Sequence, residues 1–238
     1  LAKKGGFPNW TAWHGTTTQT PPYADLEPRF HATILYNGSQ WKGRTIEPFV
    51  GGVDGWCQWN LDREPMGRTT TGYYLRKLVD ESHDVIAYSG GVQPLIIMRY
   101  AEVLLNKAEA CYHLDKTAEA NAAVKAVRTR VELPYTDKAG SALWDAIRQE
   151  RKVELAFEGL WYWDLRRWGV AHKQYPEGLT GYQQHGLKIE DNGDGTFTYT
   201  YVSVDDQDRN FPQKMYRFPM PSGELNNNAL VEQYPEWK

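Results

Sequence analysis

Cysteine is scarce: two in 238 residues, at positions 57 and 111 and without C-x-x-C spacing. That scarcity excludes a disulfide-built fold and a thiolate zinc site, and leaves open a single bridge between the two. No run of about 18 apolar residues is present, so no segment reads as a bilayer-spanning helix. Cationic residues are not in excess: 27 Lys and Arg stand against 30 Asp and Glu, a net charge of -3, and they are scattered. The electrostatic basis for a dedicated nucleic-acid binder, or for docking on an anionic membrane surface, is therefore missing. Walker, G-x-G-x-x-G and G-x-S-x-G patterns are absent, which removes the common phosphate and nucleophile signatures. Histidines 14, 31, 83, 113, 172 and 185 show no H-E-x-x-H and no i, i+4 pair, and Glu109 with His113 reads as a surface helix pair. Neither a metal nor a cofactor is expected. No signal peptide is visible, so the residues themselves give no cellular address.

What is abundant is aromatic surface, with ten Trp and fifteen Tyr, mostly outside the helical pattern. An apolar fraction of 41% suffices for a core, and the simplest organisation is one domain over 1-238 with three segments. Residues 1-93 are loop-rich, with a strand-like piece at His31 to Tyr36 closed by the Asn37-Gly38 turn signal. Residues 94-170 form the helical part. There Ile97, Ala101, Leu104, Leu105, Ala108, Cys111 and Tyr112 make one apolar stripe at helical spacing. Thr117 caps a second helix with the small stripe Ala120, Ala123, Val124, Val127 and Val131, giving an αα-hairpin. Ser141 caps a third helix running to about Phe157, Gly159 breaks it, and Trp161 to Trp168 forms a short fourth. Residues 171-238 hold a β-hairpin, with Leu187 to Ile189 and Thr196 to Val202 alternating around Asn192-Gly193-Asp194-Gly195, and a coil tail from Phe211. The turn also looks like a calcium loop, but the twelfth position from Glu190 is Tyr201, not a bidentate acid. The fold class is mainly α: tetratricopeptide-like helix pairs carrying a long loop-rich segment and a small hairpin.

The segment Ile147 to Trp168 (IRQERKVELAFEGLWYWDLRRW) places charge where a helix should be apolar. Glu150, Arg151, Glu154 and Glu158 share the face of Ile147, beside Val153, Leu155 and Phe157. Such a face reads as a desolvated ion-pair network of Glu150, Arg151, Glu154, Glu158, Asp164, Arg166 and Arg167. The same acids, one turn apart, invite a glycosidase reading. Arginine partners lower a carboxyl's pKa and fill its hydrogen-bonding shell, which suits structure better than general-acid catalysis.

This segment closely resembles the helix near the C-terminal end of SusD/RagB-like proteins, of the form I-x-x-E-R-x-x-E-L-A-F-E-G-x-x-x-x-D-L-R-R-W. Further blocks agree in order: Glu27-Pro28-Arg29-Phe30 with Ala32 to Tyr36, Thr71 to Lys77, Pro94 to Ala110, and Phe218-Pro219-Met220-Pro221 followed by Glu224 to Asn228. Members of that family are about twice this length, so the chain reads as a C-terminal portion; it departs from the family at Thr16 to Pro22, where a longer polar segment is usual. The resemblance implies a non-catalytic lipoprotein of the Bacteroidetes outer membrane, on the extracellular face. Its implied role is to bind oligosaccharide or polysaccharide and deliver it to a SusC-like TonB-dependent transporter.

The best placed ligand surface is the aromatic segment Tyr36 to Asn60. It sets Trp41, Trp56, Trp59 and Tyr36 beside Asn37, Gln40, Asp54, Gln58, Asn60 and Arg63, combining flat stacking faces with polar arms for sugar hydroxyls. Equally, those tryptophans can plug gaps between loops and helices, and burial would then favour a helical protein-interaction scaffold. Some members of the family capture peptides instead of glycans. Trp161, Trp163 and Trp168, next to the charged helix, are expected to pack the core.

Overall fold

In the computed structural model, which describes residues 15–57, 68–84, 96–174, 184–205, 207 and 209–238, Pro28 opens helix α1 (Pro28–Thr33) from the N1 position. A missing backbone N–H is harmless there and its fixed φ is already helical. The strand expected from His31 therefore begins only at β2 (Ile34–Leu35). Strand β1 (Thr16–Thr17) precedes them, and β3 (Gln40–Trp41), β4 (Arg44–Thr45) and β5 (Tyr74–Leu75) follow. Asn37-Gly38 does turn the chain, with Gly38 at a φ of 84°.

The helical part comprises α2 (Tyr100–His113), α3 (Thr117–Thr129) and α4 (Gly140–Glu154). Ala108, Ala120 and Ala123 pack with Cys111, Val124, Leu143 and Ile147 in one buried cluster, their small side chains letting the αα-hairpin close. Asn121 is buried but satisfied: its amide donates to the carbonyls of Thr117 and Lys138, and its oxygen accepts from Tyr135 Oη and the Lys138 N–H. That amide fixes the loop into α4. Four helix boundaries differ from the sequence expectation. Thr117 and Ser141 lie inside their helices, whose N-cap residues are Lys116 and Ala139. Ile97 lies before α2 and is 87% exposed, so it contributes nothing to the core. Helix α4 stops at Glu154 rather than near Phe157. Its last carbonyls leave the helical ladder because Lys77 Nζ donates to Glu154 O and Ala156 O, and Arg99 Nη2 to Glu154 O.

The expected hairpin is β6 (His185–Asp191) with β7 (Phe197–Ser203), in the register Asp191↔Phe197 to His185↔Ser203. Asp191 and Asp194 accept from the N–H groups of Gly193 and Thr196, so the turn's acids shape the turn. β1 adds a third strand beside β7. Leu187, Ile189 and Tyr199 face Phe49 and Tyr73. Cys57 and Cys111 are both buried thiols, not a disulfide.

The described residues gather into two compact units: Leu1–Phe157 with Gln184–Asp205, and Glu158–Gln183 with Asp206–Lys238. The second contains α5 (Trp161–Arg167), α6 (Ala171–Gln174) and α7 (Ser222–Asn227). The tail is thus less coil than expected, with 3-10 turns at Gln213–Tyr216 and Pro235–Trp237 as well. Its core joins Leu165, Ala171 and Phe211. The chain is mainly α, with small sheets. Among the described residues no helix is long and apolar enough to cross a membrane.

Candidate ligand-binding site

The charged face of α4 is a buried network, but its partners come from far away in sequence. Arg29 on α1 is held bidentately by Glu27, at 2.8 and 3.1 Å. Its Nη1 also donates to Glu150 at 2.6 Å and Glu154 at 2.9 Å. Glu154 accepts further from Arg99 at 2.6 Å and Arg130 at 2.8 Å, and Glu150 from Arg128 at 2.8 Å. Arg151 donates to Asn106. Burial raises the Glu154 carboxyl's pKa, but the bonds from Arg99 and Arg29 outweigh it and hold the group below its ordinary value. The guanidiniums that meet Glu150 and Glu154 thus include those of Arg29, Arg99, Arg128 and Arg130, none of which sequence reasoning assigns to the network. Asp164 and Arg167 pair with each other within the second unit, at 2.9 Å, and Glu158 is half-buried there. Fixed acids of this kind have no free carboxyl to act as a proton donor.

The network clamps α1 to α4, and α1 leads directly into β2, which pairs with β5. Beyond β5 two adjacent cations point to different tasks. Lys77 closes the end of α4, while Arg76 grips Glu81 bidentately, at 2.7 and 3.2 Å, and donates to the His31 carbonyl. The guanidinium of Arg76 lies 5.8 Å from the ring centre of Trp41, a cation–π distance. The helical layer thus sets the position of Trp41 through a short chain of contacts.

Trp41 sits on β3, opposite Arg44 on β4. Arg44 holds Asp54 through two bonds, at 2.7 and 2.5 Å, and Asp54 also accepts from the Glu47 N–H. The Arg44 bond, with lesser help from the Glu47 N–H, outweighs burial and keeps the Asp54 carboxyl below its ordinary value. Two residues on, Trp56 donates its indole N–H to Thr70 O at 3.1 Å, and Lys188 Nζ lies 5.9 Å from its ring centre. Tyr74 Oη donates to the Asp54 carbonyl, and its pKa is pushed up to about 12, chiefly by burial. The Arg44–Asp54 pair therefore ties the Trp41 hairpin to the Trp56 turn. Both tryptophans are half-buried, each anchored on one side and neither sealed in the core.

Tyr36 is placed differently. Its ring stacks on Tyr23 at 4.1 Å and lies 5.4 Å from Phe30, and its hydroxyl meets His31 Nδ1. It packs the floor beneath the loop segment. Gln58, Trp59, Asn60 and Arg63 lie outside the described residues. Asp54 is among the polar arms expected beside the tryptophans, but its partner Arg44, and Arg76 and Lys188, escaped sequence reasoning, because only the fold brings them to the two indoles.

The model of the SusD family matches residues 6–237 of this chain. A SusD-like protein of Formosa agariphila is 37% identical over 87 residues, covering 32% of this chain and 17% of that protein. The solved structure of a SusD-like protein from Bacteroides fragilis superposes with a TM-score of 0.70 at 28% identity, over 90% of this chain and 39% of the other. The chain thus spans less than half the length of either relative. Matched by the family model along nearly all of its length, and by that solved structure over most of it, this chain belongs to the SusD family.

Proposed function

We propose that this chain supplies part of a non-catalytic surface that captures oligosaccharide or polysaccharide at the outside of the bacterial outer membrane and passes it to a SusC-like TonB-dependent transporter. The observation that carries the reading is the joined placement of Trp41 and Trp56. Each is half-buried on a loop-rich face, fixed by polar contacts at one edge, with Asp54, Arg44 and Lys188 as neighbouring polar groups. Indoles held in this way present flat apolar surface to the C–H face of a sugar, while the polar neighbours address hydroxyls. Full burial would have favoured a plain scaffold. The glutamates of α4 are committed to arginines, which weighs against hydrolysis. Membrane attachment in this reading is by a lipid outside the described residues.

A protein-contact role has its own supporting observation. Ile96, Ile97, Met98 and Tyr100 are 57 to 87% exposed and lie within five residues around the start of α2, interrupted only by Arg99, a concentration of apolar surface of the kind protein partners cover. The two readings meet in one protein if the partner is the transporter. Affinity electrophoresis in gels containing single polysaccharides tests the glycan reading. Retardation by at least one polysaccharide, diminished in a Trp41→Ala, Trp56→Ala variant with an unchanged circular dichroism spectrum, is expected. Equal retardation of both proteins would contradict it.

A further inference from the structure

The second unit carries an exposed aromatic cluster, one member of which, Trp163, was expected in the core. Trp163 is instead 56% exposed, Phe218 55% and Tyr162 43%. Between these rings stands Arg166, whose guanidinium carbon lies 4.6 Å from the ring centre of Phe218, 5.5 Å from Tyr162 and 5.9 Å from Trp163. Its Nη1 donates to the Met215 carbonyl and to Tyr162 Oη, and its Nη2 to the Tyr216 carbonyl at 2.8 Å. The side chain is thus held in place before any ligand arrives. Arg44, Arg76 and Arg167 each meet a carboxylate; Arg166 meets none among the described residues. Of the five N–H groups of a guanidinium, its Nε–H and one Nη2–H remain without a protein acceptor there.

We propose that this patch is a second ligand site, built from residues other than those around Trp41 and Trp56, and that it takes a carboxylate-bearing saccharide, a uronic acid unit. Three exposed rings offer stacking surface for a pyranose, and the open part of the guanidinium fork matches the two oxygens of a carboxylate. A neutral sugar would stack equally well but would leave the charge unanswered. An extended acidic peptide fits less well, since strand-type peptide capture needs a sheet edge and this unit has no strand among its described residues. Because backbone carbonyls already fix Arg166, binding orders no long side chain, which favours affinity.

The test titrates the intact chain by calorimetry with oligogalacturonate and with its methyl ester, which has the same rings without the charge. Replacing Arg166 endangers the packing of Met215 and Tyr216, so Trp163→Ala and Phe218→Ala, both at exposed positions, serve as variants, with Leu114→Ala, at an exposed position in neither ligand surface, as the control. Expected are binding of oligogalacturonate that weakens with salt, at least about tenfold weaker binding of the ester, and a loss of about tenfold or more in each patch variant with the control unchanged. Equal affinity for the ester, unchanged binding by both patch variants, or no binding of oligogalacturonate would each overturn the proposal. Polyglutamate binding as tightly as the uronate would replace the saccharide by an acidic peptide and overturn it equally.

Discussion

Replacing Glu154 by Ala tests whether the α4 network holds the first unit together. The carboxylate side chain is 1% exposed and accepts from three guanidiniums. Breaking a buried ion pair by removing one partner costs roughly 3–5 kcal/mol, because the charge left behind stays desolvated. Here Arg29 keeps Glu27 and Glu150, so the remaining charge is partly answered and the lower end, about 3 kcal/mol, is expected. Arg130, at the other end of one of these bonds, has a side chain 57% exposed; Arg130→Ala should cost less than about 1 kcal/mol. Equilibrium unfolding in urea at pH 7, followed by far-UV circular dichroism, reads both. With a slope of about 2–3 kcal/mol per M, Glu154→Ala lowers the midpoint by roughly 1–1.5 M and Arg130→Ala by less than about 0.5 M. Equal, small shifts for the two variants would refute the idea that desolvation makes this network structural.

Acid should act through the same group. Since the folded-state pKa of Glu154 lies below its ordinary value of 4.5, its contribution is complete above that value and is lost as pH falls from there through the folded pKa. Midpoints measured across this range should drop more steeply for the natural chain than for Glu154→Gln, and parallel curves would speak against the assignment. Phe157 occupies the left-handed region at a φ of 65° and is 56% exposed. Phe157→Gly should therefore stabilise by about 1 kcal/mol, read as a higher urea midpoint. Gly186 has no room for a side chain, since a Cβ would lie 2.5 Å from Thr71 Cα and 2.8 Å from Thr71 O, both backbone. Gly186→Ala should cost about 1–3 kcal/mol by prising the hairpin from residues 71–73, and a midpoint unchanged within error would remove that contact from the account. Asp54→Asn should leave stability within about 1 kcal/mol, because Arg44 is half exposed. It should still weaken glycan retardation by loosening the link between the Trp41 and Trp56 loops.

Local signals carried much of this fold into the sequence. The hairpin was legible because alternation and the Asn192 to Gly195 turn are both contained in about twenty residues, α2 and α3 because their apolar stripes repeat at helical spacing, and α4 through its charged face and the glycine break after it. Short elements were less legible. Six residues from Pro28 give too few turns for periodicity to separate helix from strand. The end of α4 was hidden for another reason: Lys77 and Arg99 stop it, and neither is near Glu154 in sequence. The charged face of α4 was recognisable as a network, yet its first partner, Arg29, stands 121 residues from Glu150. A helical wheel shows which residues share a face and nothing of what comes to meet it. Trp163 fell on the wrong side because tryptophan's size argues for burial in general, while the arginine beside it draws the exposed rings around a charge. At the candidate site, the two described indoles were found from composition and loop context, and the ion pair that joins their loops only from the fold.

The central claim is that the Trp41 and Trp56 surface binds glycan. Intrinsic tryptophan fluorescence, titrated with a panel of plant and host polysaccharides, addresses it most directly when run on the natural chain and on a folded Trp41→Ala, Trp56→Ala, Trp59→Ala variant. A saturable change with at least one polysaccharide, absent from the variant, is the predicted result. Saturable changes that all keep the same midpoint in the variant, with none lost for any polysaccharide, would place every glycan elsewhere and contradict the claim.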